Sequence, residues 1–559
     1  MIQNLADVQY TTSDQQQEAS NPRIATDGED FNKVYSFLEE REPFRHDSPL
    51  VNIVTGVEAG AQVTAHTALS LGNCILNQII GQDVYKYKFK RSMTVKAMDT
   101  VLISIKTKYY VTDSNLMFQR LLATVAIRRD NVNVEEAFCH ELCTYPPRLF
   151  QSETFLLPAD NKSNFTNSVK AVDDNSLQSW EEMKYVIDGG MLVQRVPWKL
   201  GSTFREICMS YVLFLSKYPT ATIVLDGYEH STKDMVHKKR KHHFNCSNIM
   251  PSLAGTLTIK KAHFLSNLGN KQRFVNLLQE FLENLGFVCL AARDDADVLI
   301  CRTAADIYNN SQNVTLVGDD TDLLVLLVHM IKNNNSSRHK LFLSTKTCVY
   351  DIQSVKKQFG SRAVSKILLL HSFTGCDTTS RILGVGQDRL LKLEAKLDES
   401  VSSIFYDPDS AKEQIKVAGE NIFALLLGLP MEQDTLDSAR LKAFNTKVIK
   451  SSSVIECGTL PPTSAAAEQH SYRVYHQIQT WLENCLDATE WGWKVIHNQY
   501  VPVTSTLPAA PPELMNIIHC NCKGGCKNNQ CTCRKNSLHC GPGCTSCTEN
   551  CENRDNEEQ

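Results

Sequence analysis

The sequence predicts an α/β fold built around a parallel β-sheet, and three observations lead to this prediction. Between Tyr185 and Asp322, four short apolar runs rich in β-branched residues each end in aspartate. Segments with helical periodicity, such as STFREICMSYVLFLSKY and RFVNLLQEFLENLG, separate these runs. The runs are apolar throughout instead of alternating with polar residues, which is typical of parallel strands covered by helices on both faces.

The composition places the chain among globular proteins with more than one domain. Its 559 residues allow two to four domains, and 42% hydrophobic residues is ordinary for such proteins. No apolar run approaches the roughly 18 residues of a membrane span, and the N-terminus lacks the pattern of a signal peptide. The formal charge of -4 does not decide about nucleic acid, because local charge governs that interaction. We therefore expect a nuclear protein, with the cytoplasm as the alternative, and no membrane partner.

Changes in composition along the chain predict the domain boundaries. The region before the apolar runs contains a predicted helix, TALSLGNCILNQII, and the strand-like run TVLISIKTKYYV, but no catalytic spacing. The predicted segments are a disordered N-terminus (1–45), an α/β domain of unknown type and function (46–175), the parallel-sheet domain (176–395), a helical region (396–500), a Pro-rich linker (501–515), a small cysteine-rich domain (516–553) and an acidic tail (554–559).

The strand-ending aspartates are expected to lie along one edge of the sheet, because the carboxyl ends of parallel strands meet there. Neighbouring carboxylates raise one another's pKa values unless a cation neutralises them. Oxygen ligands suit Mg²⁺, and two such ions about 4 Å apart can clamp the attacking and leaving oxygens of a phosphoryl displacement. A single strand-end aspartate is more often a turn or helix-cap residue. Four in succession favour a metal site.

The same aspartates resemble the motifs of the flap endonuclease and XPG family of nucleases. The motifs VIDGG, VLDGY, DDAD and GDDTD, then HSFTGCDTTSRILGVGQ, follow the order of that family between Lys184 and Leu391. The resemblance implies a PIN-like fold with a helix-two-turn-helix. It also implies two Mg²⁺ or Mn²⁺ ions held by Asp188, Asp226, Asp295, Asp297, Asp320, Asp322 and Asp377.

The basic segment after Asp226 carries a second part of the resemblance. Lys233 and Arg240 are seven residues apart, hence on one helix face. In the family, a lysine and an arginine at these offsets reach the scissile phosphate, which implies a catalytic role here. Lys238 and Lys239 are expected to bind the nucleic-acid backbone without sequence preference. The alternatives are a solvated basic helix and a nuclear-localisation run, HKKRKHH.

Gly384 and Gly386 stand where the family has the glycines of its helix-two-turn-helix. Glycines permit tight turns and let backbone N–H groups approach a phosphate, although a plain structural turn would use similar glycines. The chain departs from the family at Gln194, in place of a base-stacking tyrosine, and at Gln387 after the glycines. About 180 residues precede the first motif, where family members begin with the nuclease fold.

The cysteines near the C-terminus predict a zinc cluster. Their number is odd, so they cannot all pair as disulfides, and thiolates at such spacings bind zinc. Their order resembles the CXC domain of tesmin- and TSO1-like proteins, which implies about three zinc ions shared by Cys520, Cys522, Cys526, Cys531, Cys533, Cys540, Cys544, Cys547 and Cys551. The cations expected to offset the cluster's charge and to face DNA phosphates are Lys523, Lys527, Arg534 and Lys535. A protein-binding or purely structural module is the alternative.

Together the two resemblances imply a Mg²⁺-dependent, structure-selective DNA nuclease that is tethered to DNA or to chromatin proteins by its zinc module. A nuclease fold without catalysis, acting as a nucleic-acid or protein scaffold, is the competing interpretation. RNA is the alternative substrate, because the same metals would hydrolyse it.

Overall fold

The structure is a computed structural model. It describes residues 21–39, 68–81, 102–105, 108–111, 118, 121–122, 133–158, 171, 182–227, 232, 248–292, 296–331, 339–385, 396–429, 435–450, 455–496, 499–511, 522, 526–527, 531, 534 and 551.

The secondary structure alternates between strands and helices in the central part of the chain. The strands are β1 Leu102–Ile105, β2 Lys108–Val111, β3 Lys184–Asp188, β4 Thr222–Leu225, β5 Val288–Ala291, β6 Val314–Val317, β7 Leu341–Ser344, β8 Val349–Asp351, β9 Trp493–Ile496 and β10 Gln499–Pro502. The α-helices are α1 Asn21–Glu39, α2 Ala68–Ile79, α3 Val134–Phe138, α4 Gly189–Arg195, α5 Phe204–Leu215, α6 Lys261–Ser266, α7 Leu268–Glu283, α8 Asp297–Asn309, α9 Thr321–Met330, α10 Ile352–Ser365, α11 Ile367–Thr374, α12 Glu399–Tyr406, α13 Lys412–Leu427, α14 Leu436–Lys450 and α15 Ser464–Trp481.

The chain forms two compact units, and each is discontinuous in sequence. The terminal unit comprises residues 1–146, 436–465 and 507–559. The sheet unit comprises residues 147–435 and 466–506, so it extends beyond the predicted boundaries of 176 and 395.

The sheet unit contains a six-stranded, mostly parallel sheet, which confirms the predicted α/β fold class for this part of the chain. Its strand order is β5-β4-β3-β6-β7-β8. All neighbouring pairs from β5 to β7 are parallel, whereas β8 is antiparallel to β7. The sequence did not predict β8, because its three residues are too short to show a periodic pattern.

Helices cover the sheet as the continuous apolar runs require. Ile187, Ile223 and Val317 point into a core built with α5 and α7, whose rings include Phe204 and Phe274. Successive strand residues face opposite sides, so their neighbours such as Val186 point away from this core. Helix α8 packs on β3, β6 and β7. Residues of β3 and β6 are thus buried on both faces.

The terminal unit has its own core and an antiparallel β1–β2 hairpin. Phe118 and Phe138 pack against Phe444 of α14, with ring centroids 6.1 and 5.0 Å from it. The buried guanidinium of Arg440 pairs with Glu141 at 3.2 Å, and the backbone N–H of Thr463 donates to the same glutamate at 2.8 Å. This unit is therefore closed by a buried ion pair between residues far apart in sequence.

Three segments differ from the sequence predictions. Helix α1 lies within the predicted disordered N-terminus. Ala510, in the predicted linker, is fully buried in the core of the terminal unit. Within the predicted helical region (396–500), α15 ends at Trp481, and Glu483, two residues further on, adopts a left-handed conformation with φ of 64° that does not continue a helix. None of the helices in the described ranges has the length and apolar character needed to cross a bilayer.

Candidate metal centre

Three carboxylates meet beyond the carboxyl end of β6. Asp320 is the N-cap of α9 and accepts from the backbone N–H of Asp322 at 3.1 Å. Asp322 lies in the first turn of α9 and is almost fully buried. Asp377 lies in the turn after α11. One oxygen of each carboxylate lies within 4.8 Å of the other two, which is the separation expected of ligands around one cation.

Two further aspartates lie at the ends of the adjacent strands β3 and β4. Asp188 caps α4 and accepts from the backbone N–H of Met191 at 3.1 Å. Gly190 separates it from Asp226: a Cβ at Gly190 would lie 2.9 Å from Asp226 Oδ2 and 3.2 Å from Asp188 Oδ1. The two carboxylates therefore border one space, which the absence of a side chain keeps open.

The electrostatics connect the two groups of acids. The pKa of Asp188 is raised to about 7, chiefly by burial and also by the negative charges of Asp226 and Asp320, while hydrogen bonds from Met191 and Gly190 lower it. A bound cation would favour the ionised forms of these acids and so oppose this elevation of the pKa. The donors are oxygens only and their charges repel, so the set fits a hard divalent cation such as Mg²⁺.

Asp319, next to this set, has a different task. Arg195 at the end of α4 donates to both of its oxygens, through Nε at 3.0 Å and through Nη2. The backbone N–H of Lys346 donates to it at 2.7 Å. Asp319 thus ties three segments together and fixes the turn that carries Asp320.

Asp322 is held from behind by a histidine that sequence reasoning missed. His371 Nε2 lies 2.8 Å from Asp322 Oδ1, and both side chains are buried. The imidazole ring stacks on the indole of Trp481, with centroids 6.0 Å apart and planes 19° apart. The available signal was one titratable residue inside the apolar helix ILLLHSFT.

The turn that carries Asp377 is fixed by local geometry. Gly375 has φ of 117°, and a Cβ there would lie 2.8 Å from the backbone nitrogen of Arg381. The hydroxyl of Thr379 accepts from the N–H of Cys376 at 3.0 Å and donates to the carbonyl of Ser372 at 2.6 Å. These contacts restrain the turn that carries Asp377.

Helix α15 supports the same turn from outside. The hydroxyl of Thr378 donates to Gln477, and Ser380 bonds His470 Nδ1 at 3.0 Å. His470 Nε2 lies 3.0 Å from the carbonyl of Phe373, so this nitrogen is the donor. Burial, helped by the charge of Arg473, lowers the pKa of His470 to about 3, which makes it a neutral ring.

Lys271 of α7 is a second group that the sequence did not identify. Burial lowers its pKa, while the charges of Asp226 and Asp188 raise it, so its ammonium lies in the field of both carboxylates. The available signal was a cation in the first turns of a helix, where the helix dipole disfavours one.

Of the remaining predicted site residues of the sheet unit, two lie among the described residues and the others lie outside them. Asp297 is the first residue of α8 and is not one of the three acids whose oxygens meet among the described residues. Gly384 has φ of 77°, and its neighbour Leu383 donates to the carbonyl of Arg148 at 3.0 Å. The predicted site residues outside the described ones are Lys233, Lys238, Lys239, Arg240, Asp295 and Gly386.

The cysteine-rich segment brings three of its thiols together. One sulfur each from Cys522, Cys526 and Cys531 lies within 4.8 Å of the others. Cys551 is also buried, and Arg534 donates to the carbonyl of Cys526 at 3.1 Å. Three sulfurs at this distance fit part of a tetrahedral zinc site. The predicted residues outside the described ones are Cys520, Lys523, Cys533, Lys535, Cys540, Cys544 and Cys547, and Lys527 is exposed.

Comparisons with known proteins give limited similarity. A family model described as a domain of unknown function, DUF8702, matches residues 1–141, which spans the predicted boundary at 45. The search of curated proteins finds no match.

Among solved structures, the bacteriophage T5 D15 protein crystallised with metal ions is similar at 14% identity and a TM-score of 0.28, over 54% of this chain and 100% of that one. The T5 D15 flap endonuclease in a pseudo-enzyme-product complex with DNA and metal ions has 13% identity and a TM-score of 0.29, over 54% and 99%. The catalytic core of Rad2 in complex with a DNA substrate has 13% identity and a TM-score of 0.30, over 58% and 98%. Similarities of this size assign no activity to the chain.

Proposed function

We propose that this protein is a metal-dependent nuclease that hydrolyses phosphodiester bonds in DNA. One observation carries the proposal: the oxygens of Asp320, Asp322 and Asp377 meet within 4.8 Å at the carboxyl edge of a parallel sheet. Asp188 and Asp226 border an open space at the adjacent strand ends. An arrangement of acids without a thiol or imidazole ligand among the described residues suits Mg²⁺ or Mn²⁺ and phosphoryl chemistry.

The carboxylates have distinct proposed roles. Asp320, Asp322 and Asp377 hold one divalent cation, and Asp188 with Asp226 holds the second. Asp295 and Asp297 complete the set by the family resemblance. When bound, such ions neutralise the acids and polarise the oxygens of a phosphodiester. Lys271 limits the repulsion between Asp188 and Asp226.

The test is a cleavage assay in which one variant removes a carboxylate and a matched variant does not. Asp188→Asn and Asp320→Asn are each expected to reduce cleavage on the order of a thousandfold or more, because each loses a metal ligand. Asp306→Asn replaces an exposed aspartate of α8 and is expected to cleave as the parent does.

Labelled single-stranded, flapped and hairpin DNA, and the matching RNAs, are incubated with Mg²⁺ or with EDTA. Cleavage by the Asp188→Asn protein equal to that of the parent would contradict the metal assignment. Binding of DNA without cleavage in the presence of any tested metal would support the scaffold interpretation. Preferential cleavage of RNA would identify RNA as the substrate.

Lys233 and Arg240 are proposed to contact the scissile phosphate, on the strength of their offsets from Asp226. Lys233→Ala and Arg240→Ala are each expected to slow a single turnover more than they weaken binding, because a cation there stabilises charge in the transition state. Rates and dissociation constants are measured at several salt concentrations. A purely salt-dependent loss of affinity would show that both are backbone anchors.

We also propose that the cysteine-rich segment is a zinc module that holds DNA or chromatin proteins, and that the protein acts in the nucleus. Three clustered sulfurs support the zinc. The basic residues Lys523, Lys527, Arg534 and Lys535 support a contact with phosphates.

A further inference from the structure

We infer that His371 is a positioning residue that restricts Asp322 to a single metal-binding oxygen and thereby makes the centre selective for Mg²⁺ over Ca²⁺. This inference rests on the proposed function, since it concerns the cation that the nuclease would use. The juxtaposition that carries it is the buried series Asp322, His371 and Trp481.

The side chain of Asp322 is fixed by its environment. Its solvent exposure is 1%, and that of His371 is 5%. The imidazole donates from Nε2 to Oδ1 over 2.8 Å, because a carboxylate can only accept. The backbone N–H of Asp322 is bound to Asp320 Oδ1 at 3.1 Å. Neither the backbone nor the carboxylate can rotate without breaking one of these bonds.

The ring that makes this bond is itself restrained. The indole of Trp481 stacks along the imidazole with centroids 6.0 Å apart. Trp481 is 2% exposed and is the last residue of α15. Its position is set by the helix that also holds the Asp377 turn through Gln477 and His470. The orientation of the Asp322 carboxylate is therefore coupled to a rigid helix.

The consequence concerns coordination number. Ca²⁺ takes six to eight oxygens at 2.3–2.6 Å and often uses both oxygens of a carboxylate. Mg²⁺ requires near-octahedral geometry at 2.0–2.1 Å and is satisfied with one oxygen from each carboxylate. With Oδ1 bound to His371, Oδ2 is the Asp322 oxygen that we infer for the cation. Loss of the bond would free the carboxylate to turn and chelate the larger ion.

The experiment measures cation binding directly on the full-length protein, without nucleic acid. Isothermal titration with Mg²⁺ and with Ca²⁺ gives two affinities and their ratio. His371→Phe keeps a ring beside Trp481 and removes the donor. We expect its Mg²⁺ affinity to fall and the Mg²⁺/Ca²⁺ ratio to drop on the order of tenfold, as for other residues that orient metal ligands. His371→Gln restores an N–H donor and is expected to recover most of the ratio.

A purely structural role predicts a different pattern. In that case His371→Phe would weaken the binding of Mg²⁺ and Ca²⁺ equally and leave the ratio of the two affinities unchanged. This result would overturn the inference. If His371→Phe does not fold, Trp481→Leu loosens the ring without removing the donor. It is then expected to lower the ratio less than tenfold, and an unchanged ratio would again overturn the inference.

The two proposals fail in different ways. A parent protein that neither binds Mg²⁺ saturably nor cleaves any substrate would contradict the nuclease and the inference together. A parent that binds Mg²⁺ and cleaves, with His371→Phe retaining the parental ratio, would contradict the role of His371 alone.

Discussion

Gly190 shows how one missing side chain shapes the proposed centre. It is the second residue of α4, where alanine would be a better helix former than glycine. Its hydrogen atom faces Asp188 and Asp226, so a methyl group would occupy the space between their oxygens. The glycine therefore favours ligand access over helix stability at this position.

Gly190→Ala is expected to weaken Mg²⁺ binding on the order of tenfold or more, because the carboxylate of Asp226 would have to turn away from a Cβ 2.9 Å distant. Isothermal titration and the cleavage assay check this. Gly72→Ala is the matched control, since a Cβ at Gly72 in α2 would meet nothing within 4 Å. Unchanged Mg²⁺ affinity in Gly190→Ala would place the cation elsewhere.

Helix α15 shows how a whole secondary-structure element shapes the proposed centre. Its inner face is unusually polar for a buried helix: His470, Arg473 and Gln477 are all buried. Arg473 donates to the carbonyls of Gly492 and Val503 at 3.2 and 2.8 Å. Buried polar groups are retained where each bond determines one arrangement, and here that arrangement includes the Asp377 turn.

The neutrality of His470 leads to a pH-dependent prediction. Its pKa is about 3 in the folded protein and near 6.5 in the unfolded chain. Below pH 6.5 the unfolded chain binds a proton that the folded protein does not. The contribution of His470 to the free energy of unfolding is therefore fully present above this pH and decreases as the pH falls toward 3. Between pH 7 and 5 we expect the parent to lose about 2 kcal/mol relative to His470→Asn, which does not titrate.

Urea unfolding of both proteins, followed by tryptophan fluorescence at pH 7 and pH 5, measures this difference. His470→Asn is expected to be less stable at pH 7, with a gap that narrows at pH 5. A gap that stays constant or widens would show that His470 is protonated in the folded protein.

The elements differ in how well the sequence predicts them, for physical reasons. The sequence predicted the four strands β3, β4, β5 and β6, because strands buried on both faces are continuous apolar runs. The sequence did not predict the end of α15, because Glu483 adopts a left-handed conformation that its residue type does not indicate. The contact between Asp322 and His371 joins residues 49 apart in sequence, and no local pattern encodes such a pair.

At the scale of the whole molecule, the cysteine-rich segment belongs to the terminal unit. So short a segment contains too little apolar surface to form a core without metal–thiolate bonds. The full-length protein is therefore expected to carry about three zinc ions. Native mass spectrometry measures the number. Cys526→Ser should lower it, whereas Cys485→Ser, at an exposed cysteine of the sheet unit, should not.

One zinc ion per chain, or disulfides in the cluster, would contradict the three-ion prediction. If the segment binds duplex DNA, replacing Lys523, Lys527, Arg534 and Lys535 by glutamine should reduce the salt dependence of binding, by roughly one slope unit for each lost phosphate contact. A flat salt response in the parent would leave protein recognition as the task of the segment.

Because the sheet unit is discontinuous in sequence, the parts of the proposed centre are synthesised at different times. Chains emerge from the ribosome N-terminus first, and their parts begin to fold as they appear. The last carboxylate of the centre, Asp377, is synthesised well before residues 466–506 complete the unit. A nascent chain therefore contains every acid of the centre before it has the helix that aligns two of them. Any message truncated ahead of Trp481 encodes the ligands without the support that makes them a site.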